Sequence, residues 1–207
     1  MERLTRGEPI GAGMQKRVFV AAENPKKVIA ESRDGKDLTQ EQIKATYYLN
    51  KISHLLFPKN IPAVSQAFND VNKSYLQMDR AQPDEAHVKA NKYIAGIGEH
   101  GEFWETNQYL MENEKDPEIK QFVKTAKEKG IFMDIGSGQN FARDPEGNLL
   151  YLDISPAWEY IEGKIFYWFD DVLLKQTIEA LPEADKSKAL NYFERLLALK
   201  PKDYNVN

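Results

Sequence analysis

The sequence predicts an α+β fold, with a sheet-rich first part and a helix-rich second part. Three observations carry that reading. Up to about residue 80, short runs of β-branched and aromatic residues are punctuated by Gly, Asn and Pro, with one helical stretch among them. After Met78 the texture changes to charge and Pro83, which suits a connector. Beyond it, most apolar residues recur at helical spacing.

The elements follow in chain order. Ile10-Gly11-Ala12-Gly13 predicts a tight glycine turn. Arg17-Val18-Phe19-Val20-Ala21-Ala22 predicts a strand, Glu23-Asn24-Pro25-Lys26 a turn, and Lys27-Val28-Ile29-Ala30 a second strand, so the three read as a hairpin. Thr39 is a candidate N-cap, with Gln42 at the capping-box position three residues later. A helix is expected over about 40–54, with Ile43, Tyr47, Ile52 and Leu55 near helical spacing. Strands are expected at 64–68 and 74–78, around a turn at 69–73. Helices are expected near 85–93, 103–112 and 117–128, the last closed by Gly130 at C′. A glycine-rich loop over 131–140 leads to short strands at 140–142 and 149–152, joined by Asp144-Pro145-Glu146-Gly147-Asn148. The tail predicts two amphipathic helices, 158–181 and 182–199, with Ile165-Phe166-Tyr167-Trp168-Phe169 as core on the first.

Composition excludes several classes of function. A chain of 207 residues buries about 70% of its unfolded surface and needs no staples to hold a core. The absence of cysteine removes disulfides, zinc–thiolate sites, iron–sulfur clusters and thiol nucleophiles together. A net charge of −4 argues against a nucleic-acid partner, whose phosphates need a basic surface. No stretch approaches the ~20 apolar residues of a membrane span, so no membrane partner is expected. Met1-Glu2-Arg3-Leu4-Thr5-Arg6 lacks the apolar run of a signal peptide, and the expected location is the cytoplasm or, by export without a cleavable signal, a host cell. The three histidines show no ligand spacing.

Three segments can carry chemistry. Gly11 and Gly13, ahead of Val18-Phe19, let backbone amides approach phosphate oxygens, or simply punctuate a hairpin. Asp134, a glycine loop and Asn140 form a compact polar group between a helix and a hairpin. Asp153 ends the apolar run Leu150-Tyr151-Leu152, where a carboxylate facing a second acid and an amide can hold magnesium through oxygen ligands.

The order of these segments resembles the protein-kinase-like superfamily over residues 7 to about 157. Gly11-x-Gly13 with Val18-Phe19 resembles the glycine-rich loop, and Tyr75-Leu76-Gln77-Met78-Asp79-Arg80-Ala81 the last strand and hinge with Met78 as gatekeeper. Lys129-Gly130-Ile131-Phe132-Met133-Asp134 through Asn140 resembles the catalytic loop, and Leu152-Asp153-Ile154-Ser155 stands at the metal-binding Asp-Phe-Gly. The resemblance implies a two-lobed fold: a small antiparallel-sheet N-lobe over 1–79 and a truncated helical C-lobe over 80–207. It further implies that Gly11 and Gly13 cover the phosphates of ATP and that the backbones of Asp79 and Ala81 pair with adenine. Asp134 would then act on the acceptor hydroxyl, with Asn140 and Asp153 holding Mg²⁺.

The departures from the family pattern shape the expected function. Lys16 replaces a third glycine, Phe132-Met133 replaces the usual His or Arg, Ile154-Ser155 replaces Phe-Gly, and Asn140 comes one position late. Ala30-Glu31 stands where a phosphate-pairing lysine is usual. One hypothesis is an inverted pair in which Lys44 on the helix meets Glu31 and supplies the charge; the alternative leaves Lys44 solvated and the role vacant or taken by Lys16 or Lys27. The short stretch after Asp153 leaves little wall for a small-molecule pocket. The chain therefore resembles the minimal kinases found among bacterial effectors, expected to be monomeric and to phosphorylate a protein hydroxyl. The alternative is a pseudokinase-type nucleotide- or protein-binding module.

Overall fold

The computed structural model describes residues 5–12, 16–32, 38–70, 73–80, 114–135, 140–153, 156–161 and 164–201. The helices expected near 85–93 and 103–112, the loop residues 136–139, Gly13 and Ala81 lie outside them.

The first part is one antiparallel sheet with a helix against it. Strands β1 (Arg6–Ala12), β2 (Lys16–Ala21), β3 (Asn24–Ser32), β4 (Val64–Asp70) and β5 (Lys73–Asp79) lie in the order β1-β2-β3-β5-β4. Helix α1 (Gln40–Leu56) crosses between β3 and β4. The Thr39 hydroxyl accepts from the Gln42 N–H at 3.1 Å, while the Gln42 side chain accepts from the Thr39 N–H at 2.9 Å. The capping box therefore forms as the spacing predicts.

Two expectations change here. Of the segment expected as a glycine turn, Ile10, Gly11 and Ala12 are the last residues of β1, with Gly11 paired opposite Val18. Register shifts on either side of Pro9 break its alternation, and residues 5–10 are exposed, so β1 carries no buried-face pattern to read. The expected turn at 23–26 tightens to Ala22-Glu23, and Pro25 sits near the start of β3, where a missing N–H is tolerated.

Among the described residues, the second part's first element is α2 (Pro117–Glu128). Asp116 caps it, its carboxylate accepting from the N–H groups of Glu118 at 2.9 Å and Ile119 at 3.4 Å. The other Asp116 oxygen accepts from Arg143 Nη2 at 2.7 Å, and Arg143 also pairs with Glu118. Desolvation raises the Asp116 pKa, but the guanidinium and the two amides outweigh it and hold the carboxyl below its usual range. A depressed folded pKa stabilises above the unfolded value and loses that contribution as pH falls through the folded one. Asp116→Ala is therefore expected to cost about 1 kcal/mol in urea melts at neutral pH. In acid, the difference from wild type should vanish.

At its C-terminus α2 closes with a Schellman motif. Gly130 N–H donates to Lys127 O at 3.0 Å and Ile131 N–H to Ala126 O at 2.9 Å, with Gly130 at φ +79°. Strands β6 (Phe141–Arg143) and β7 (Leu149–Tyr151) then form the expected hairpin.

The tail corrects the sequence reading. Residues 158–167 are the hairpin β8 (Trp158–Ile161) and β9 (Lys164–Tyr167) rather than a helix. Trp158, Ile161 and Ile165 fit helical spacing, but cross-strand pairs such as Trp158 with Tyr167 satisfy the same residues. Aromatic and β-branched content favours that pleated arrangement. Trp168 and Phe169 are buried as expected, though off any helix. Asp170 then caps α3 (Asp171–Glu179), accepting from Leu173 N–H at 2.9 Å, and α4 (Glu183–Leu199) follows.

Two apolar clusters result. Val28, Ala30, Ile43, Val64 and Met78 form the smaller, between the sheet and α1. The larger joins the C-terminal side of α1, through Leu49, Ile52 and Leu56, to α2, α3, α4 and both hairpins. Each such side chain contributes about 1.5–3 kcal/mol when fully buried. The helix α1 thus contributes residues to both clusters. No helix among the described residues is long and apolar enough to cross a membrane.

Candidate functional site

The Schellman turn aims the chain away from α2 into an extended segment, Ile131 to Asp134. That segment is pinned on one side: Phe132 N–H donates to Trp168 O at 2.9 Å and Asp170 N–H to Gly130 O at 2.9 Å. At its end, Asp134 N–H donates to the Tyr151 hydroxyl at 3.1 Å. Asn140 Nδ2 donates to Asp134 O at 2.9 Å, and Leu152 N–H donates to Asn140 O at 2.7 Å. Asp153 is the next residue. The structure therefore brings Asp134, Asn140 and Asp153 together at the mouth of the β6–β7 hairpin, all partly exposed.

This arrangement has definite chemical capacity. The Asn140 amide uses its NH₂ on Asp134 O, which leaves its carbonyl oxygen able to accept. Asp153 follows Leu152, whose N–H is bonded to Asn140 O, so its carboxylate is the second candidate oxygen donor. Two such oxygens suit a hard divalent cation that takes its remaining ligands from phosphate and water. Among the described residues, no group of three or more Asp, Glu or His side chains could hold a metal by itself.

The segment after Asp153 is held by α1. The Thr46 hydroxyl donates to Gln42 O at 2.7 Å and accepts from Ala157 N–H at 3.1 Å, and Gln42 Nε2 reaches Trp158 O at 3.5 Å. Thr46 and Ala157 are 1% and 0% exposed, so no water can replace that acceptor. Thr46→Val keeps the shape and orphans the Ala157 N–H. It is expected to cost about 1–3 kcal/mol, read as a lower urea midpoint.

The sheet supplies a second surface. Val18 pairs with Ala30 and Val28 with Met78, so these four share one face, with half-buried Val18 packed against the smaller cluster beside buried Met78. Asp79 N–H donates to Ala63 O at 2.8 Å, which leaves its carbonyl as the backbone group it can offer a ligand. Its carboxylate pairs with Lys27. Nearby Lys51 is held below its ordinary pKa, by burial first and by Lys27 next, against the opposing pull of Asp79.

The proposed inverted pair does not form. Glu31 is 1% exposed and its carboxylate lies 2.7 Å from Arg6 Nε, whereas Lys44 is exposed on α1. Strand alternation explains the difference: Glu31 points to the face opposite Ala30, away from the cluster that Ile43 of α1 packs against. The glycine loop is described only to Ala12, so Gly11 is placed in β1 while Gly13 and Ala81 lie outside the described residues.

Sequence reasoning missed Tyr151, Thr46 and Arg6. Tyr151 carried a signal, being a phenol in the strand that leads to Asp153. Thr46 and Arg6 carried none, because their partners lie far away in sequence.

No protein-family model matches the chain, and no curated protein matches it.

Proposed function

We propose that the chain is a compact, kinase-like phosphotransferase that moves the γ-phosphoryl group of ATP to a hydroxyl on a protein. The observation that carries this reading is the hydrogen-bonded run from Asp134 through Asn140 to Leu152 and Asp153. A small antiparallel sheet with one helix precedes it, and half-buried Val18, packed at the cluster that α1 covers, is the apolar residue that would meet an adenine ring. In this reading residues 1–79 act as an N-lobe and 80–207 as a reduced C-lobe.

The residues divide the work. Asp134 orients the acceptor hydroxyl and takes its proton as the hydroxyl oxygen bonds to the γ-phosphorus and the bond to the β,γ-bridging oxygen breaks. Asn140 and Asp153 would hold Mg²⁺, which neutralises charge on the phosphates. The Asp79 carbonyl faces the adenine amino group. The Thr46 bond holds Ala157, four residues after Asp153, and an anchor so close to Asp153 suits constitutive or partner-driven activity rather than activation by phosphorylation.

One observation favours a second reading, a nucleotide-binding module without catalysis. Lys27 is paired with Asp79, and Lys44 stands exposed on α1 while Glu31 pairs with Arg6, so neither lysine makes the strand–helix ion pair that the kinase pattern expects. Thermal melts separate the readings from an unrelated fold. ATP with magnesium at about 100 times its Kd should add about 2.7 kcal/mol of stability. No shift overturns both; a shift without phosphoryl transfer leaves the binding module.

A further inference from the structure

We infer that Tyr151 is a positioning residue for Asp134, acting through the backbone of the loop rather than on substrate; the inference rests on the phosphotransferase reading. Its ring is buried, 5% exposed, and packs on Phe141 with centroids 5.1 Å apart. Its backbone is tied as well, because Tyr151 N–H donates to Asn60 O at 2.8 Å and Asn60 Nδ2 donates to Leu149 O at 2.8 Å. The phenol is therefore a rigid post. Its hydroxyl stands 3.1 Å from the Asp134 nitrogen and accepts that N–H.

The geometry gives this one contact unusual leverage. Tyr151 ends β7, two residues before Asp153, and its hydroxyl meets the backbone of Asp134. The phenol thus helps to set the spacing between Asp134, which in this reading handles the acceptor's proton, and the chain that leads to Asp153. The neighbouring bonds, Asn140 Nδ2 to Asp134 O and Leu152 N–H to Asn140 O, set the spacing of Asn140 but leave the Asp134 amide to the phenol. Errors of about 1 Å in such spacing can cost 10²-fold in rate. Nucleotide affinity, by contrast, rests in this reading on the sheet and on Asn140 and Asp153, whereas the hydroxyl's bond is to the Asp134 backbone.

The test is Tyr151→Phe, which keeps the ring against Phe141 and removes the hydroxyl. ATP turnover with water or a protein hydroxyl as acceptor is measured alongside amide hydrogen exchange at Asp134. The expected result is a kcat lower by about 10- to 100-fold, with KM for ATP within about two-fold and a Tm lower by at most a few degrees, since half-buried Asp134 can bond water instead. Exchange at the Asp134 amide should accelerate. Leu149→Val serves as the control: it loosens the same hairpin without touching the hydroxyl, and kcat per folded molecule should hold. An active wild type whose Tyr151→Phe form keeps its kcat overturns this inference alone. So does an equal loss of kcat in Leu149→Val, which would mark a purely structural role. A wild type with no turnover overturns the phosphotransferase reading and this inference with it.

Discussion

Asp134→Ala is expected to bind ATP with magnesium as tightly as the wild-type protein and to lose phosphoryl transfer by about 10²–10⁴-fold, the usual contribution of a positioned proton acceptor. Asp153→Asn should fail differently. In the proposed reading its carboxylate would hold Mg²⁺ on the phosphates rather than act on the acceptor, so the loss should appear as weaker magnesium-dependent nucleotide binding. Changes even to outer-shell partners of a metal cost about 10–100-fold, and loss of a ligand charge should cost at least as much. Titration calorimetry with ATP, with and without magnesium, reads the second effect, and transfer assays at saturating ATP read the first. If both variants lose binding and transfer together, the division of roles drawn from the hairpin geometry is wrong.

The second large effect is on stability. Gly130→Ala is expected to destabilise the protein by about 2–5 kcal/mol, combining ~1–2 for a side chain in left-handed backbone with ~1–3 for overpacking. The clash is concrete. A Cβ at Gly130 would lie 2.5 Å from Leu174 N and 2.9 Å from Asp170 O, both backbone atoms that cannot swing aside. Gly147 is the internal comparison, since it has a similar φ of +86° but nothing within 4 Å of its added Cβ. Gly147→Ala should cost only the backbone part. Each kcal/mol moves Tm by about 2–4 °C in a chain of this size, so calorimetry resolves the two variants easily. Equal Tm losses would mean that the packing of Gly130 against the start of α3 contributes nothing.

Gly130 also shows why parts of the fold were legible in the sequence. Local chemistry announces itself: Thr39 with Gln42 starts α1, Asp116-Pro117 starts α2, Gly130 ends it, and the turn at 144–148 closes β6 on β7. The polar residues that meet in the candidate site were legible for the same reason. Asp134, Asn140 and Asp153 are close in sequence, and a tight hairpin brings them together. What stayed hidden depends on distant partners. β1 exists because β2 offers it a ladder, not because its exposed residues alternate. The aromatic run through Phe169 fits two periods equally well, and only the pairing of Trp158 with Tyr167 decides between them. The expectation for Glu31 failed on parity: one step along a strand reverses the face, so a carboxylate beside Ala30 cannot meet the helix that covers Ala30.

The most direct test of the central claim is transfer of labelled γ-phosphate from ATP with magnesium to a protein hydroxyl. Wild-type protein should label a protein acceptor, and Asp134→Ala, still stabilised by the nucleotide, should not. Wild-type protein that is neither stabilised by ATP with magnesium nor able to transfer its label would contradict the claim outright.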